Sequence, residues 1–218
     1  MATTTHATIV IDDFSSRIDG PSVWPKFVDS ETASMSSVEL GQFDVLGGTR
    51  SSTLRVQSFE SALDRIDAMI DPFTDGGVLD YNSSVTGNGA LDLAYGTAES
   101  LNASFAEQTG LQFNFDGLDL GIGSLLAITV RLESDTQGTQ LLSTSVYNGG
   151  LETITVRWDT AETTGFDFSD VDRIFVTLDG GMGADFRLDS ITTFAVPAPG
   201  SLALLGLAGC AVRRRRRD

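Results

Sequence analysis

Histidine and cysteine are nearly missing from this sequence: 218 residues hold one of each, His6 and Cys210. Ser-His-Asp and Cys-His nucleophiles both need a histidine base, so the body of the chain cannot assemble either. Histidine-rich zinc sites and disulfide frameworks are excluded by the same shortage. Lysine occurs once, as Lys26, and 14 Lys and Arg stand against 30 Asp and Glu, a net charge of −16. Five of those cations are consecutive arginines. Without residues 200–218, 9 basic and 29 acidic residues remain, a net charge of −20. So acidic a body repels phosphate backbones and anionic lipid, which excludes nucleic acid as a partner. It is compatible with divalent cations and with neutral or cationic glycans. Convincing amphipathic helical periods are also missing, and residues 98–108 are the best candidate for one short helix.

What is present suits strands. Glycine is plentiful at 23 residues, and Ser, Thr and Asp fill short alternating runs separated by turn signals. A first strand is expected over 9–14, with Ile9 and Ile11 on one face. Runs over 38–46 and 52–59 flank Gly47 and Gly48, and 63–70 ends at Asp71-Pro72. Runs over 78–81 and 90–95 flank Gly87-Asn88-Gly89 and read as a hairpin. Leu111, Phe113 and Phe115 share a face, and 125–132 is apolar enough for a central strand. Runs over 139–147 and 153–158 read as a second hairpin across Asn148-Gly149-Gly150. Ile174, Val176 and Leu178 alternate, and 186–194 is the last strand. Ten to twelve strands at this spacing imply an all-β sandwich or barrel. The Gly41, Gly47-Gly48 and Gly180-Gly181 positions read as turn glycines.

The final stretch differs. No charge occurs from Ser190 to Val212, and five arginines follow: Arg213, Arg214, Arg215, Arg216 and Arg217. Pro197 and Pro199 stop a strand and can open a helix. As a helix, 200–212 would rise about 20 Å, short of the roughly 30 Å of a bilayer core, with snorkelling arginines making up part of the gap. The arginines predict a cytoplasmic end with the body across the membrane. A plain tail anchor, or a terminal helix buried in an oligomer, would share this composition.

Pro197-Ala198-Pro199, a small-residue and Leu-rich helix, and a closing Arg run resemble the PEP-CTERM sorting signal; Ala198 stands where that family usually has Glu. The resemblance implies an exported protein, held in the inner membrane until an exosortase-like enzyme processes it, and then released to the cell surface or matrix. It divides the chain into residues 1–7, a remnant of a signal peptide, 8–195, a β-sandwich domain, and 196–218, the sorting tail. Since 1–7 offers no basic and apolar leader, the natural start is expected further upstream.

Asp-Asp-Phe at 12–14 and Leu-Asp-x-Ile at 188–191 resemble the jelly-roll domains of carbohydrate-binding modules. The fold expected is therefore an all-β jelly-roll sandwich with one C-terminal hydrophobic helix. The resemblance puts a structural calcium beside the first and last strands, with Asp13 (or Asp12) and Asp189 as its carboxylates, hard oxygen donors of the kind calcium takes; both could instead end strands and bond loop amides. Trp24 and Trp158 are candidate sugar-stacking residues, although either could equally be core. The leading expectation is a non-enzymatic envelope or biofilm-matrix component; the alternatives are a carbohydrate-binding module that meets extracellular polysaccharide and a glycan-active enzyme using a carboxylate pair.

Overall fold

A computed structural model describes residues 7–19, 23–73, 76–121, 124–146, 153–158 and 165–196. Residues 1–6 of the expected 1–7 remnant and 197–218 of the expected 196–218 tail, with Pro197, Ala198, Pro199, the five arginines and the expected helix, lie outside the described residues. Among the described residues no helix is long and apolar enough to cross a membrane.

Among the described residues thirteen strands form two antiparallel sheets: β1 Val10–Asp12, β2 Lys26–Val28, β3 Ser34–Leu40, β4 Thr49–Phe59, β5 Ile66–Asp71, β6 Val78–Ser83, β7 Gly87–Tyr95, β8 Gly110–Asp119, β9 Leu126–Ser134, β10 Gly138–Val146, β11 Thr153–Arg157, β12 Arg173–Met182 and β13 Asp185–Phe194. One sheet runs β11-β8-β13-β6-β5-β2, with β1 also against β13; the other runs β10-β9-β12-β7-β4-β3. Within these, β6-β13-β8-β11 faces β7-β12-β9-β10, which is the double Greek key of a jelly roll. Strands β2 to β5 widen both sheets beyond it.

The period-2 pattern decides which side chains meet. In β12, Ile174, Val176 and Leu178 are buried while Phe175, Thr177 and Asp179 are half-exposed on the other face. Leu54, Leu91 and Val130 join the first set from neighbouring strands, opposite Leu79, Phe113, Leu188 and Ile191 of the second sheet. Each such aliphatic side chain contributes roughly 1.5–3 kcal/mol by leaving water. Tyr81 stacks on Phe186 at 4.6 Å and donates its hydroxyl to the Gly89 carbonyl at 2.9 Å.

Three local expectations are corrected. The strands before and after 84–86 are not a hairpin: β6 and β7 sit in opposite sheets, as do β10 and β11. Gly87 and Gly89 are strand residues. A Cβ on Gly89 would lie 2.3 Å from Ile66 Cδ1 and 2.8 Å from the Arg55 carbonyl, so close packing fixes this glycine. Gly180 and Gly181 likewise lie inside β12, at a bulge after Asp179. Residues 98–108 are not helical. Their backbone bonds go across to another segment, from Leu101 N to Asp172 O and from Phe105 N to Phe168 O, with Ala103 bridging Val171. Gly41, Gly47 and Gly48 do turn the chain, at φ of 70°, 74° and 68°.

Candidate functional site

The outward set of the six-stranded sheet forms three rows perpendicular to the strands. Register places Val38, Ser51, Ala94, Phe175, Arg131 and Leu141 in one row, and Ser36, Thr53, Asp92, Thr177 and Thr129 in the next. A third row runs through Ser34, Arg55, Ala90, Asp179 and Ala127. A groove of about 540 Å³ lies over the first two rows, from Ser51 and Thr53 across to Leu141.

Asp92 is the hub of its floor. Its Oδ2 accepts from Arg55 Nε at 2.7 Å and its Oδ1 from Thr177 Oγ1 at 2.6 Å. That hydrogen bond, more than the charge attraction, holds the Arg55 guanidinium above its ordinary pKa. Beside it, the Arg131 guanidinium lies 4.0 Å over the Phe175 ring, a cation–π contact that presents a flat, half-apolar surface. Arg131 Nε is 3.4 Å from Glu133, and Arg173 reaches Asp135 at 2.8 Å and Glu133 at 3.5 Å. Ser36 bonds Thr53, and Ser51 bonds Thr97, both at 2.8 Å. The groove is thus a hydroxyl-rich surface with one aromatic plane, whose charged groups already hold one another in place. It can bind a polar, ring-shaped ligand by stacking and hydrogen bonding.

The residues singled out from sequence lie elsewhere. Trp24 is 3% and Trp158 is 4% exposed, so neither shows a ring face to a sugar. Trp24 Nε1 donates to Glu39 at 2.8 Å; Trp158 Nε1 donates to the Gln108 carbonyl at 2.8 Å and its ring stacks on Phe168 at 5.1 Å. Both are anchors of the interior. The strands expected to adjoin do so: Val10 faces Thr192 and Asp12 faces Ile191. The carboxylates there have other work. Asp13 Oδ1 accepts from Ser15 N at 3.1 Å, and Asp189 Oδ2 accepts from Ser190 Oγ at 3.2 Å. Among the described residues no three His, Cys, Asp or Glu side chains come together to hold a metal ion.

The cation beside Asp12 is Arg50. Both are fully buried, and Arg50 Nη1 bonds Asp12 Oδ1 and Oδ2 at 2.9 and 3.0 Å while its Nε bonds Glu39 at 2.8 Å. Tyr95 donates its hydroxyl to Asp12 at 3.0 Å, and Ile18 N donates to Glu39 at 2.8 Å. Burial pushes the Asp12 carboxyl up to about 6, against the pull of Arg50. Burial lowers nearby Lys26 to about 8, with Glu39 pulling the other way; its ammonium bonds Ser37 Oγ at 2.6 Å. This network pins the 13–19 segment over the sandwich interior. The signal for it was available: strict alternation in β4 places Arg50 on the same face as Ser52 and Leu54.

No family model matches the chain, and no curated protein matches it. Solved structures do. The family 11 carbohydrate-binding module of a cellulosomal cellulase of Clostridium thermocellum is 11% identical, with 88% of this chain and 97% of that one covered at a TM-score of 0.43. A solution structure titled as CtCBM11 gives 14%, 90%, 99% and 0.46, and an agarase, AgWH50C, gives 10%, 88%, 25% and 0.44. Likeness at this level fixes no ligand.

Proposed function

We propose that this protein is a non-enzymatic polysaccharide-binding β-sandwich, and that the outer face of its six-stranded sheet is the binding surface. The Asp92–Arg55–Thr177 cluster beside the Arg131-covered Phe175 ring carries the reading. A sugar ring offers an apolar face and a rim of hydroxyls; this floor offers a guanidinium stacked over an aromatic ring and a rim of fixed donors and acceptors. Fixing those groups beforehand lowers the ordering cost of binding. Both oxygens of Asp92 are already committed, which favours a holding role over proton transfer. The test is binding of the intact protein to an array of plant, algal and bacterial polysaccharides, with affinity electrophoresis to confirm hits. Retention by at least one of them is expected; retention by none would refute the reading.

Where the protein meets its polysaccharide follows from the tail. Pro197-Ala198-Pro199, the apolar run and Arg213 to Arg217 support export and exosortase-type sorting, so that the domain acts at the cell surface or in the matrix. Recovery of the full-length product from the membrane fraction, and of a shortened one outside the cell, is expected. Full-length protein in the cytosol with its last residues intact would refute it.

A further inference from the structure

A second cavity, of about 360 Å³, lies at the end of the groove near β3 and β4, bounded by Leu40, Gly47, Gly48, Thr49, Ala98 and Glu99. It continues the first. Thr49 and Ser51 point to the same side of β4, one lining each cavity, and Thr97 of the groove precedes Ala98 of the second space. The Ser51–Thr97 hydrogen bond of 2.8 Å sits at the junction. Gly47 and Gly48 keep this end free of side chains through their positive φ of 74° and 68°. Leu40, 59% exposed, supplies an apolar wall.

Charge narrows the ligand. The arginines on this sheet face all have carboxylate partners: Arg131, which lines the groove, has Glu133, Arg55 beside it has Asp92, and Arg173 has Asp135 and Glu133. None is left over for a sulfate or a uronate. Glu99, in the second cavity, adds a carboxylate with no partner among the described residues, which further repels an anion. Resting on the polysaccharide reading above, we infer that the two cavities form one extended site for a neutral polysaccharide, with the ligand chain crossing the strands and its end seated against Leu40 and Glu99. From β10 to β4 the groove crosses five strands. Those five strands, ~4.8 Å apart, span about 20 Å; the groove takes the length of chain that fits this span and the second cavity takes the rings beyond it.

The experiment is calorimetric titration of the full chain with cello-, laminari- and agaro-oligosaccharide ladders, with alginate and chitosan as charged counterparts. Affinity should rise with length beyond the groove by about tenfold, or 1.4 kcal/mol. The variants Glu99→Ala and Leu40→Ser change exposed side chains and should remove that late gain while leaving short-ladder binding alone. Asp92→Ala should weaken binding at every length. If Glu99→Ala and Leu40→Ser keep the late gain, the second cavity is not part of the site. If alginate or chitosan binds better than every neutral ladder, with steep salt dependence, the neutral class is wrong. If Asp92→Ala changes nothing, the failure lies with the groove itself.

Discussion

Replacing Arg50 with methionine removes four hydrogen bonds from the sandwich interior and leaves two carboxylates behind. Asp12 keeps the Phe14 amide and the Tyr95 hydroxyl, and Glu39 keeps the Ile18 amide and the Trp24 indole. Those donors soften the loss without supplying a countercharge. Removing one partner of a buried ion pair costs about 3–5 kcal/mol. In a chain of this size that lowers Tm by roughly 6–20 °C. The pH dependence gives a second readout. Asp12 titrates near 6 in the fold against 3.8 as a free side chain, so the native state keeps a proton that the unfolded chain has released. Its contribution is fully present below the unfolded value and is lost as pH rises through about 6, a swing on the order of 3 kcal/mol. In Arg50→Met the cation opposing burial is gone, Asp12 moves further up, and the loss extends to higher pH. Thermal melts by circular dichroism at about pH 5 and about pH 7.5 separate the cases. A variant melting with the parent at both would refute the view that this network pins the fold.

Burial lowers Lys26 to about 8 from 10.5, so parent stability should rise from pH 8 toward 10.5, and denaturant titration of Lys26→Met should show no such rise. A Cβ on Gly77 would stand 2.4 Å from the backbone C and O of Phe14, at φ of 115°. Gly77→Ala should therefore cost at least ~1–3 kcal/mol by urea unfolding. Trp158→Phe should lose about 1–2 kcal/mol with its indole hydrogen bond while leaving polysaccharide binding unchanged.

Much of the architecture was legible in the residues. Alternation in 111–115 and 174–178 marks side chains that are inside, and the strand rhythm implies an all-β sandwich or barrel, of which the structure is the sandwich. The expected hairpins fail because crossing between sheets and turning within one sheet carry the same local pattern: an apolar run, glycines, another apolar run. Gly89 shows the difference only once Ile66 is placed against it. The candidate site was half-legible. Ile174, Val176 and Leu178 facing inward implies that Phe175 and Thr177 face out, but residue type alone favours tryptophan as the sugar-stacking side chain and points to the wrong positions. Trp24 and Trp158 instead bury their rings in the core, where Glu39 and the Gln108 carbonyl accept the indole N–H. The meeting of Asp92 with Arg55, 37 residues apart, depends on the β4–β7 register, which no local signal sets.

The most direct measurement is the affinity of the full chain and of its Asp92→Ala and Phe175→Ala variants for whichever polysaccharide the array identifies. Both variants alter half-exposed side chains of the six-stranded sheet, so cooperative melting should persist. Saccharide affinity should fall at least about tenfold in each. Parent-strength binding by both folded variants would contradict the assignment of that sheet face.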